Sequence, residues 1–223
     1  MRLYHFLNEE YALAALRNQE LKVSHFDTLN DPFELQAGGS GEKSVRAAIK
    51  KYKARIASRS RLLCCSKSWS NPLLWSHYSD NHKGIALVLE VPEKYLIHIN
   101  YTPKRPELSA TDLVSALKSG GSKKYSNLFL STKYCGWRYE NEARVLFDKS
   151  ETYKKGSLEF YRLSETVKIT GLIVGPLAST KTTEIERNIP HGQSIKVTSS
   201  RLAFKSFRVV RNKLHPPLTV NSL

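Results

Sequence analysis

WRYENEARVLF, residues 137–147, decides how the second half of the chain is read. Glu140 and Glu142 stand two apart, with Arg138 and Arg144 two residues outside them. Residues two apart on a β-strand point to the same side of a sheet. A strand over this stretch therefore predicts four charges on one face, in the order plus, minus, minus, plus. The other face reads Trp137, Tyr139, Asn141, Ala143, Val145 and Phe147, which is mostly core. On an open edge such charges form pairs worth ~0–1 kcal/mol each and discourage sheet-to-sheet association. On a covered face they need partners or a polar cleft. A paired carboxylate in a cleft suits acid–base work or the stabilisation of a developing cation.

Working outward, strands dominate the reading. RLYHFLN is a short strand, and EEYALAALRNQELK has helical spacing and good helix formers. LKVSHF reads as extended. In TLNDPFE, Asp31 is an N-cap, Pro32 suits the first helical position and Glu34 completes a capping box, so a helix is expected there. RLLCCSKSW and GIALVLEVP are buried strands, and Asn71-Pro72 opens a short helix, LLWSHYSDNH, with Gly84 expected at a left-handed cap. LIHINYTP is another strand, ended by Pro103. Residues 104–124 are polar and Ser/Gly-rich and read as a mobile excursion. VKITGLIVGP, IKVTSS and FKSFRVVRN are late strands, and HPPLTVNSL reads as a loose tail. The expectation is α+β: a mixed or antiparallel sheet flanked by helices, in one domain over 1–215 with a tail at 216–223. There is no βαβ repeat, GxGxxG or Walker A loop.

Composition narrows the function. The chain of 223 residues is 40% hydrophobic and 25% charged, as for a soluble globular protein. No apolar run approaches the roughly 20 residues of a membrane span, and MRLYHFLNEEY turns polar too soon for a signal peptide. Cys64, Cys65 and Cys135 make neither a disulfide framework nor a zinc pattern, so no metal site and a cytoplasmic setting are expected. A net charge of +15 favours a polyanionic partner. The basic helix expected over 42–60 buries Val45, Ile49, Tyr52 and Ile56. Arg46, Lys50, Lys53 and Arg55 stand around that stripe as candidate nucleic-acid contacts, set against the ordinary reading of a solvated helix face.

His5 is a lone histidine on the first strand, and a lone histidine is more often packed than functional. WSHYSDNHKG, residues 75–84, gathers Trp75, His77, Tyr78, Asp80, Asn81 and His82. Core packing accounts for Trp75 and part of Tyr78, but not for the polar group. Asp80, His77 and His82 are a weak metal pattern, because the spacing straddles a helix end.

Taken in order, LYHF (3–6), LNDPFE (29–34), LLWSHYSDNHKGIAL (73–87), NYTP (100–103), WRYENEARV (137–145) and GLIVGP (171–176) resemble a large, mostly bacterial group, domain-of-unknown-function family 2971. More distantly, the order His5, Tyr78, Glu142 is similar to that of ADP-ribosyltransferases of the histidine–tyrosine–glutamate class. That resemblance implies an NAD-using enzyme. His5 would hold the nicotinamide-side ribose, and Tyr78, with Trp75 or His77 nearby, would stack on nicotinamide. Glu142 would bind the ribose 2′-hydroxyl and stabilise the cation that grows as nicotinamide leaves, Glu140 would help to bind the cofactor, and Arg138 or Arg144 would take the pyrophosphate. Glu-x-Glu is closer to the arginine–serine–glutamate class, so the transferase class stays open. The resemblance also implies the kind of enzyme used as a toxin or phage-defence effector, acting on a nucleic acid or protein. Two other functions stand beside it: a non-enzymatic nucleic-acid-binding module, and a metal-dependent nuclease.

Overall fold

IALVLE, residues 85–90, runs through the middle of a nine-stranded mixed sheet, with Ile85, Ala86, Leu87 and Leu89 buried and Val88 half-buried. The computed structural model describes residues 1–33, 35, 41–107, 109, 111 and 123–222. Across the sheet lie β13 (Val209–Arg211), β12 (Ser194–Leu202), β11 (Lys168–Val174), β4 (Ile85–Glu90), β1 (Arg2–Leu7), β3 (Ser60–Ser66), β8 (Glu142–Asp148) and β5 (Leu96–His98). β14 (Leu218–Asn221) also pairs with β12. The β11–β12 pair is parallel, and the other pairs of this sheet are antiparallel. Smaller sheets join β2 (Glu20–Val23), β10 (Leu158–Arg162) and β9 (Thr152–Lys155), and β6 (Asn100–Thr102) with β7 (Thr132–Tyr134). The helices whose bounds lie among the described residues are α1 (Glu9–Asn18), α2 (Lys43–Arg59), α3 (Pro72–Tyr78), α4 (Lys123–Ser131) and α5 (Thr182–Glu186). This is the expected α+β class with a mixed sheet.

Strand alternation sorts the core onto two faces. Leu3, Leu63, Cys65, Leu87, Leu89, Ala143, Val145 and Phe147 pack on one side with Ala12, Ala15 and Leu16 of α1. The other side carries two separate clusters. Val45, Ala48, Ile49 and Tyr52 of α2 and Phe129 of α4 cover Leu62. Leu74 and Trp75 of α3 cover Phe6, Ala86, Ile173 and Val209.

The gap between those two clusters follows from the pairing. β1 pairs with β4 along its whole length, and β3 pairs with β8 at all seven residues. β1 and β3 meet only at Tyr4 and Ser66. Below that point β3 turns to another partner, with Ser24 and Leu62 exchanging both main-chain hydrogen bonds at 2.8 and 3.0 Å. The sheet is therefore split between β1 and β3, and backbone polar groups left unpaired there must find other partners.

Several expectations are corrected. WRYENEARVLF is not one strand: Cys135–Glu140 forms a 3₁₀ helix, Asn141 adopts φ 45°, and the strand starts at Glu142. Asn tolerates the left-handed conformation that ends the turn. Arg138 consequently leaves the strand face. NDPFE does not open a helix: Asp31 Oδ1 accepts from the Phe33 amide at 2.9 Å, an Asx turn, and Leu35 has φ 56°. Glu34 lies outside the described residues. Gly84 is not a left-handed cap, since Asp80, Asn81 and His82 take the positive φ angles (44°, 50° and 73°). Gly84 meets the Leu7 carbonyl where a Cβ would sit. LIHINYTP divides into β5 and β6, and FKSFRVVRN is strand only over β13. The tail at 216–223 is not loose: β14 forms an edge strand on β12. Most of the 104–124 excursion lies outside the described residues. Among the described residues no helix is long and apolar enough to cross a membrane.

Candidate active site in the split of the sheet

The split opens a cleft of about 320 Å³ bordered by β1, β3, the turn 28–31, α3 and the 3₁₀ helix before β8. His5 is among its lining residues. Alternation puts His5 on the side of Leu3 and Leu7, and Nδ1 reaches across to the Cys64 carbonyl at 3.0 Å. A carbonyl only accepts, so Nδ1 carries the proton and Nε2 of the neutral ring is left as an acceptor. Desolvation lowers the His5 pKa, and the Cys64 bond opposes that shift in part.

The polar wall is a cluster of four charges. Lys133, on β7, donates to Glu140 Oε2 at 2.5 Å and to Glu142 Oε2 at 2.9 Å. Arg144, with no exposed surface, donates through Nε to Glu142 Oε1 at 2.6 Å and through a terminal nitrogen to Oε2 at 3.1 Å. Its other terminal nitrogen reaches the Leu130 carbonyl at 3.1 Å. The Glu142 amide donates to the Tyr101 hydroxyl at 2.8 Å. Burial favours the protonated form of Glu142, but Arg144 and then Lys133 outweigh it and hold its pKa down at about 2. Burial likewise works against the Lys133 ammonium, and the Glu142 and Glu140 carboxylates reverse the balance and raise its pKa. Two cations and two carboxylates leave the cluster neutral, which is how four charges tolerate burial.

One edge of this cluster faces the cleft. The Tyr78 hydroxyl donates to Glu140 Oε1 at 2.5 Å and accepts from Asn30 Nδ2 at 3.3 Å. Burial first, then the Glu140 bond and charge, push the phenol pKa well up. Glu140 thus meets the cleft through Tyr78, whereas both oxygens of Glu142 are engaged by cations.

The expected residues separate accordingly. His5, Tyr78, Glu140 and Glu142 border one cleft. Trp75 does not, because it is fully buried against Phe6 and its Nε1 donates to the Trp69 carbonyl at 2.6 Å. Arg144 has no exposed surface from which to reach a phosphate. His77 is exposed outside the cleft, with its ring 6.0 Å from that of Tyr139. Arg138 is exposed above the Tyr101 ring and lines a different groove. Sequence reasoning missed Lys133, whose only signal was a cation in STKYCGW, and exposed Lys22, which borders the cleft.

On α2 the apolar stripe is as expected, with Val45, Ile49 and Tyr52 buried. Arg46, Lys50 and Arg55 are exposed, while Lys53 is half-buried and lies 3.5 Å from Asp27. Among the described residues no three of His, Cys, Asp and Glu gather as a metal site, so His77, Asp80 and His82 do not form one. No family model, curated protein or solved structure matches the chain.

Proposed function

We propose that the chain is an NAD-consuming enzyme of the ADP-ribosyltransferase kind, acting in the cleft at the sheet split. One observation supports this reading: His5, Tyr78 and Glu140, far apart in sequence, border a single cleft beside a charge-balanced cluster. In the reaction the bond between the ribosyl C1′ and nicotinamide breaks. Its electron pair goes to the pyridinium nitrogen, and the ribosyl carbon becomes cationic until an acceptor oxygen or nitrogen attacks and loses a proton. A carboxylate fixed beside that carbon favours the transition state over the ground state. Glu140 takes this role in place of Glu142, because cations hold both Glu142 oxygens, whereas Glu140 Oε1 is met by the neutral Tyr78 hydroxyl and only Oε2 by Lys133. Tyr78 orients Glu140. Nε2 of neutral His5 accepts from a ribose hydroxyl, and Lys22 is the exposed cation at hand for a phosphate.

Nicotinamide release from NAD, with and without cell extract, tests the reading. The wild-type chain should release it, and Glu140→Gln should slow release by about 10²–10³-fold. Tyr78→Phe should slow it less. No release by the wild type under either condition overturns the proposal.

A further inference from the structure

The last 37 residues, from Arg187, contain seven Lys or Arg and no Asp or Glu. Within them, β12 and β13 are joined by a loop that projects Phe204 and Phe207, 89% and 97% exposed. No other described large apolar side chain is as exposed. Basic residues interleave with them. The Arg201 guanidinium lies 4.3 Å from the centre of the Phe204 ring, and Lys205 and Arg208 flank Phe207 in sequence.

The loop is fixed in place. The Ala203 amide donates to the Arg208 carbonyl and the Val209 amide to the Ser70 carbonyl, each at 2.9 Å, and Val209 is fully buried. Phe207 and Arg208 form one side of a groove of about 580 Å³ whose other walls include Ser68, Ser70, Arg138 and Asn141. Arg208 donates to the Ser70 hydroxyl at 3.0 Å, and Arg138 to the Tyr101 carbonyl at 3.5 Å. Neither arginine has a carboxylate partner among the described residues.

We propose that the β12–β13 loop and this groove bind single-stranded nucleic acid, with bases stacked on Phe204 and Phe207 and phosphates met by Arg138, Arg201, Lys205 and Arg208. Stacking platforms interleaved with cations are what a single strand needs, because every base presents a flat face and every linkage a charge. A lipid surface would use the protruding rings but not a concave groove beside Phe207 that holds Arg138 and Arg208. The site is separate from the exposed cations of α2, and it does not rest on NAD chemistry. It shares a wall with the cleft, since Tyr139 and Asn141 line the groove and Glu140 the cleft.

Fluorescence anisotropy of labelled poly-dT and poly-U strands with the full chain, over a salt series, tests the proposal. Binding should weaken steeply with salt. Phe204→Ala and Phe207→Ala should each weaken it about tenfold without changing the salt slope. Arg138→Gln and Arg208→Gln should each lower the slope by about 0.7. Melting temperatures of the phenylalanine variants should match the wild type, because both rings are exposed. Three results overturn the proposal: no binding at low salt, binding that both phenylalanine variants retain in full, or loss in those variants of pelleting with anionic phospholipid vesicles and not of strand binding.

Discussion

Glu142 was the residue most expected to act on a substrate, and cations hold both of its oxygens. Its carboxylate neutralises Arg144 and shares Lys133 with Glu140. Removing one partner of a buried ion pair leaves an uncompensated charge, which costs about 3–5 kcal/mol. Glu142→Gln should therefore lower the stability by about that amount, read from urea unfolding. Glu140→Gln should cost less, because Lys133 keeps Glu142. Equal losses in the two variants would deny the division of roles between the two carboxylates.

At the scale of elements, the α3–β4 turn shows how tightly the edge of the cleft is built. The Ser79 hydroxyl donates to the Leu7 carbonyl at 3.0 Å, tying the end of α3 to β1. Gly84 follows, pressed against Leu7 and Asn8, and its carbonyl accepts from the Gly175 amide at 3.0 Å. A methyl group on Gly84 would meet main-chain atoms, which cannot swing aside as a side chain can. Gly84→Ala should destabilise by about 1–3 kcal/mol or more. Gly41→Ala, with nothing near its Cβ position, should stay within about 0.5 kcal/mol. Unfolding midpoints of the two variants provide the check. A harmless Gly84→Ala would mean that β1 and the α3 turn are not held as closely as described.

For the whole molecule, the buried charges set an acid limit. Folding lowers the Glu142 pKa from its ordinary 4.5 to about 2, so the unfolded chain binds more protons at this site as the pH falls. The stabilisation is complete above about pH 5 and is lost as the pH drops through the folded value, with about 3 kcal/mol at stake. Urea midpoints measured from pH 6 down to pH 2 should fall in the wild type, and less steeply in Glu142→Gln. An identical slope in both would place the acid sensitivity elsewhere.

Elements whose signal is local were legible in the sequence. Asn71-Pro72 opens α3, and the Asn71 side chain accepts from the Leu73 amide as such a cap should. Val45, Ile49 and Tyr52 mark the buried stripe of α2, and the apolar run 85–90 marks the central strand. The Glu142–Arg144 pair was also within reach, because strand alternation alone puts the two on one face. The break at Asn141 was not, since a period-two pattern continues formally across a left-handed residue. Neither was the third member of the cluster, because Lys133 arrives on a separate strand. The split itself depends on β3 choosing β8 and Ser24 in place of β1, a choice among backbones that all offer the same hydrogen bonds. Sequence thus determined the segments with a strong local signal, such as the strand 85–90, α2 and the start of α3, because periodicity and capping act residue by residue, and it posed the charges on 140–144 as paired only if their face were covered. Only the tertiary structure decided that Lys133 joins both carboxylates, that Arg144 binds Glu142 and that Tyr78 binds Glu140, because that depends on where Lys133, Tyr78 and the edge of β1 come to rest.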